Sequence, residues 1–157
     1  MNAVADSRPL TGACAMVTGA GTGIGRAITL ALAARGLHVV ALGRRAAPLA
    51  DLADAASGLP GRVRPATADV SLPGVLDDVA ARHLAPDARL EVIVASAGAF
   101  TRGPVASLTT DAWDAQIASN LTAAFHTLAL ASRRMTAQEL VDGRRGHVFT
   151  PSTPARA

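Results

Sequence analysis

The stretch MVTGAGTGIGRAI, residues 16–28, sets four glycines between an apolar run and a helical pattern. Upstream, ACAMVT (13–18) reads as a short buried strand that ends where the glycines begin. Downstream, Ile24, Ala27, Ile28, Ala31 and Leu32 fall at i, i+3, i+4, i+7 and i+8, one face of a helix stopped at Gly36. Glycine permits the tight bend from strand to helix, and the missing side chains let backbone N–H groups approach a pyrophosphate. The helix starting near Gly23 aims its positive end at the same point. Gly19, Gly23 and Gly25 therefore read as a nucleotide-binding turn.

The alternation continues to the end of the chain. LHVVAL (37–42) is a second strand, and Ala46 to Ala56 a short helix closed by SGLPG. RVRPATADV (62–70) is a third strand. Ser71 is placed to cap the next helix, on which Leu72, Val75, Leu76, Val79, Ala80 and His83 share a face. LEVIVAS (90–96) is a fourth strand. Trp113, Ile117, Leu121, Phe125 and Leu128 then line a long helix entered through TTD (109–111), and GHVFT (146–150) is a fifth strand. Five strands alternating with helices predict an α/β fold, one doubly wound parallel sheet of the Rossmann type. Residues 1–157 read as a single domain, with 1–11 as lead-in and 146–157 as fifth strand and chain end. Such sheets bind ligands at the carboxyl ends of their strands, which is where the glycine turn lies.

About twenty residues beyond such glycines, a unit that prefers NAD carries an acid for the ribose hydroxyls. Here Gly43 is followed by Arg44 and Arg45. A carboxylate repels a 2′-phosphate, whereas a guanidinium clamps it with paired charge-assisted hydrogen bonds. The expected cofactor is NADP rather than NAD.

Composition excludes several other classes. The 157 residues are 50% hydrophobic and 17% charged, which argues against disorder. The net charge of +3 looks nucleic-acid-like, but the arginines occur in pairs at most and aromatics are only 3% of the chain. All fifteen basic residues are arginines and there is no tyrosine, which is what lifts the isoelectric point near 10.9. A single cysteine, Cys14, excludes an internal disulfide and fits a reducing compartment. No signal-peptide pattern and no membrane-length apolar run is present, so a cytoplasmic, soluble protein with no nucleic-acid or membrane partner is expected. His83 and His126 sit among apolar helix positions and read as packed or surface histidines. No metal is expected.

These words and spacings resemble the short-chain dehydrogenase/reductase family. TGAGTGIG (18–25) matches its TGxxxGxG cofactor loop, placing Thr18, Gly19, Gly21, Thr22, Gly23, Ile24 and Gly25 at the cofactor. ADV (68–70) is similar to the family's adenine contact, with Asp69 accepting from the adenine amino group and Val70 beside the ring. ASAG (95–98) stands where the family has NNAG, with Ala97 and Gly98 next to the cofactor. DAWDAQIASNLTAAF (111–125) resembles the long helix, which puts Asn120 on the active-site asparagine. HVFTPST (147–153) resembles the strand bearing the catalytic serine, with Ser152 and Thr153 both open for that hydroxyl.

The resemblance implies hydride transfer between a nicotinamide and a carbonyl or alcohol carbon, a small-molecule substrate and a homo-oligomer. Two departures are marked. Ala95 cannot brace the sheet as an asparagine would, and Ser96 can do so only in part. The family's catalytic tyrosine, and the lysine four residues after it, lie beyond the point where this chain stops, so the fold is expected to be C-terminally incomplete and the chain inactive alone. The alternatives are a non-catalytic NADP-binding module or regulatory subunit, and a Rossmann methyltransferase, which is disfavoured by Arg44 in place of an acid.

Overall fold

A computed structural model describes residues 10–151. Its order is β1 (Cys14–Thr18), α1 (Gly23–Ala34), β2 (His38–Gly43), α2 (Ala46–Ala55), β3 (Arg62–Thr67), α3 (Val75–His83), β4 (Leu90–Ala95), α4 (Thr110–Gln116), α5 (Ala123–Thr136) and β5 (His147–Phe149). The five strands form one parallel sheet in the order β3-β2-β1-β4-β5. Strands covered on both faces must be apolar throughout, which is why β1 and β2 read as continuous runs rather than alternating ones. One face packs Met16, Val40, Leu42 and Ile93 against α3 and α5. The other packs Val17, Val39, Ala41 and Val94 against α1 and α2. Each fully buried large side chain here contributes roughly 1.5–3 kcal/mol.

Three readings of the helices need correction. On α1 the buried positions are Gly25, Thr29 and Ala33, while Ile24 is 45% exposed, so the buried face is turned by one residue from the apolar one. The helix packs through its smallest residues: a Cβ on Gly25 would collide with the Gly19 carbonyl, and the Thr29 hydroxyl is satisfied by Gly25 O at 2.8 Å. A hydrophobicity pattern cannot register a face defined by glycine and threonine.

Second, α3 is not capped by Ser71. It begins at Val75 behind Gly74, whose φ is +76°, and Leu72 lies outside it, 53% exposed. The Ser71 hydroxyl and amide are both taken by Asp69, which ends β3 at Thr67 and turns the chain.

Third, the long helix is interrupted. Between α4 and α5, residues Ile117–Thr122 form a π-helical turn. Ser119 Oγ donates to Ala115 O at 2.8 Å and Asn120 Nδ2 to Gln116 O at 2.9 Å, taking carbonyls that the regular ladder would use. The buried face of α5 is Ala123, Thr127, Leu130, Ala131 and Met135. The expected stripe of Trp113, Leu121, Phe125 and Leu128 faces outward instead. Thr109 does cap α4 as the TTD reading required, accepting from Ala112 N at 3.2 Å.

Candidate cofactor site

Because β4 returns to the far side of β1 from β2, the connections diverge above β1 and leave a crevice at the carboxyl ends of the strands. It measures about 510 Å³. Its floor is the turn after β1. Gly19 has φ +68°, and a Cβ there would stand 2.5 Å from Ser96 O and 2.8 Å from Ala97 Cα, both backbone. Gly21 and Thr22 line the crevice beside it, while Gly25 lies behind, sealed against Gly19. Gly23 opens α1 with φ +55°, and neither it nor Ile24 lines the crevice. The Cβ-free backbone after β1 thus lies directly against the backbone after β4, beside the N-terminus of α1, an arrangement that suits a phosphate.

The sequence resemblance puts Thr18 at the cofactor, whereas its side chain lies inside the sheet, 1% exposed. The hydroxyl donates to Val94 O at 3.2 Å and accepts from Ser96 N and Ala97 N, each at 3.1 Å. It ties β1 to the end of β4, the task that Ala95 cannot perform. The β-branched threonine in ACAMVT was the available signal, hidden by its membership of the glycine motif.

The walls come from the other strand ends. After β2, Gly43, Arg44 and Arg45 line the crevice, and both guanidinium-bearing residues are exposed at its rim. After β3, the strand next to β2, Asp69, Val70 and Ser71 also line it. The Ser71 hydroxyl donates to Asp69 Oδ1 at 2.6 Å and the Ser71 amide at 3.0 Å. These bonds, the hydroxyl's first, hold the Asp69 carboxyl below its ordinary range, with a smaller pull from Arg44. No described residue bonds Asp69 Oδ2. Ser71, whose sequence position reads as a helix cap, lines the crevice, as do Ala115, Ala118 and Ser119, small residues that carry no cofactor signal in the sequence.

After β4, Ala97 and Gly98 complete the lining. A Cβ on Gly98 would lie 2.8 Å from Asn120 Oδ1. Asn120 clasps the next residue at both backbone groups, donating to Ala99 O at 2.7 Å and accepting from Ala99 N at 3.3 Å. Its amide therefore positions the Ala97–Ala99 segment, and its own side chain is not among those lining the crevice. His126 bonds Val70 O through Nδ1 at 3.1 Å, anchoring the Asp69–Val70 loop to α5. Ser152 and Thr153 lie outside the described residues. Among the described residues no group of three His, Cys, Asp or Glu side chains is placed to hold a metal ion.

The family model for short chain dehydrogenases matches residues 13–153. The chain belongs to the short-chain dehydrogenase family. It is 36% identical over 124 residues to a D-beta-hydroxybutyrate dehydrogenase of Cupriavidus necator, covering 78% of this chain and 47% of that one. With a D-threitol dehydrogenase of Mycolicibacterium smegmatis it shares 32% over 126 residues, 80% of this chain and 48% of the relative. The crystal structure of a short-chain type dehydrogenase/reductase from Mycobacterium marinum superposes with a TM-score of 0.79 at 26% identity, covering 90% of this chain and 56% of that one. This short-chain dehydrogenase thus spans about half the length of the curated relatives it matches. Its family binds nicotinamide cofactors, NAD or NADP, and the crevice lined by Gly19, Gly21 and Gly98 fits such a group. Among the described residues no helix is long and apolar enough to cross a membrane.

Proposed function

We propose that the chain forms the cofactor-binding portion of an NADP-dependent oxidoreductase acting on a small carbonyl or alcohol. The observation that carries the cofactor preference is Arg44, exposed at the crevice rim directly after β2, where an NAD-preferring site needs an acid. In this reading backbone amides of the Gly19–Thr22 turn hold the pyrophosphate, and Arg44, with Arg45 beside it, grips the 2′-phosphate. Asp69 Oδ2 accepts from the adenine amino group, and Val70 borders the ring. Ala97 and Gly98 let the nicotinamide half lie close to β4. The bound nicotinamide supplies the hydride chemistry. Asn120 holds the Ala99 backbone in place, and Ser152 or Thr153 polarises the substrate oxygen.

The sequence contains no tyrosine and no lysine. General acid–base assistance is worth about 10²–10⁴-fold, so the 157-residue chain by itself is proposed to bind NADPH without reducing carbonyls. The test of the cofactor assignment is a binding titration of Arg44→Asp. NADPH should weaken by about 2 kcal/mol while NADH changes little. Equal losses for both cofactors would overturn the assignment.

A further inference from the structure

A second cavity, of about 290 Å³, opens at the other edge of the sheet, among the amino ends of β1, β2 and β3. Parallel registry brings Cys14, His38 and Arg62 into one row across three strands, since Cys14 pairs with His38 and His38 with Arg62. Two residues along, Arg64 pairs with Val40 and points to the same face. His83, the last residue of α3, lines the cavity as well, and Leu84, Ala85 and Ala88 supply apolar lining.

The chemistry of this lining is one-sided. It holds two guanidiniums, two imidazoles and a thiol, and no carboxylate among the described residues. Neither arginine has an ion pair with a described residue, unlike Arg89 and Arg133 elsewhere. His38 Nδ1 is buried with no hydrogen-bond partner among the described residues. Burial raises the Cys14 thiol, and the Arg64 charge opposes that rise, so the guanidinium lies within electrostatic reach of the sulfur. Arg62 and Arg64, with His38 and His83 beside them, line a space that holds no described carboxylate, which leaves the two guanidinium charges unbalanced.

We propose that this cavity is a binding site for the phosphoryl group of a small phosphorylated molecule, held by Arg62, Arg64, His38 and His83 and separate from the nucleotide crevice. A phosphoryl group carries close to two negative charges and three acceptor oxygens, which suits two forked donors and two imidazoles better than one carboxylate does.

Cys14 is the only cysteine in the chain and lines this cavity, so it reports occupancy directly. The experiment follows carboxamidomethylation of Cys14 by iodoacetamide in the folded full chain, with inorganic phosphate as the probe. Phosphate at about twice its dissociation constant should slow labelling about threefold, as expected for a saturable site. In Arg62→Gln/Arg64→Gln the concentration needed should rise by about tenfold or more. Both positions are exposed on an edge strand, and circular dichroism checks that the fold persists. Arg44→Asp, at the carboxyl ends of the strands, should protect like the wild type. Absent protection, protection retained in the double variant, loss with Arg44→Asp, or equal protection by sodium chloride at matched ionic strength would overturn the site. Stronger protection by malonate than by phosphate would overturn the phosphoryl assignment.

Discussion

Around the glycine turn, backbone touches backbone: Gly19 faces Ser96 and Ala97, and Gly25 faces Gly19, with no room for a methyl group at either, while Gly98 faces the Asn120 side-chain amide. Along α4 and α5 the reverse holds. Trp113, Leu121 and Phe125 are 54%, 63% and 63% exposed, and β5 beyond them presents Val148 and Phe149 outward at 49% and 51%. The first region is specified by the absence of side chains and the second carries large ones that nothing described covers. A substitution in the first should therefore act on the fold itself, and one in the second on what the molecule associates with.

The largest effect should come from Gly19→Val. The new side chain would adopt a left-handed backbone against two backbone atoms, so a loss of roughly 2–4 kcal/mol is expected in urea unfolding. Loss of nucleotide binding should accompany it. A stability change near zero would mean that the turn gives way easily and that the contrast between the two regions is false.

Thr18→Val comes next. It keeps the volume but removes one donor and leaves Ser96 N and Ala97 N without their buried partner, costing about 2 kcal/mol. A milder result would show that water reaches those amides.

On the other side, Leu121→Gln/Phe125→Gln should change unfolding free energy by no more than about 0.5 kcal/mol. It should, however, lower light scattering by concentrated protein, because an exposed apolar patch promotes association. Strong destabilisation would show these side chains to be core.

The smallest effect concerns Ser71→Ala, which should let Asp69 rise toward its ordinary value of 3.8. A depressed carboxyl stabilises the fold above that value and loses its contribution as pH falls through the depressed one. The wild-type advantage, about 0.3 kcal/mol for so exposed a group, should be constant at neutral pH, begin to shrink near 3.8 and vanish once pH has fallen through the depressed value. An advantage that grows on acidification would remove the Ser71 bonds as its cause.

The same contrast explains what could be read from the sequence. Apolar runs and glycine words located all five strands, the crevice and most of its lining, because strand burial and phosphate approach both act through local composition. Helix faces were misread where packing uses small or polar residues. Gly25 and Thr29 define the inner side of α1, yet Ile24 and Ile28 carry the hydrophobicity. On α5, Ala123 and Thr127 face in while Phe125 and Leu128 face out. The π-helical turn was invisible because it depends on Ser119 and Asn120 diverting carbonyls, a competition that periodicity does not record. The brace at Thr18 needed its partners 76–79 residues away to be recognised.

That separation also sets the order of events during folding. The turn after β1 and the end of β4 together form the floor that a nucleotide would occupy, so β1, α1 and β2 could pair early and still offer it no seat. Long-range closure of this kind is slow relative to local helix and strand formation. A nucleotide added during refolding should therefore leave the folding rate unchanged and slow only the unfolding rate, because the ligand meets a finished floor or none.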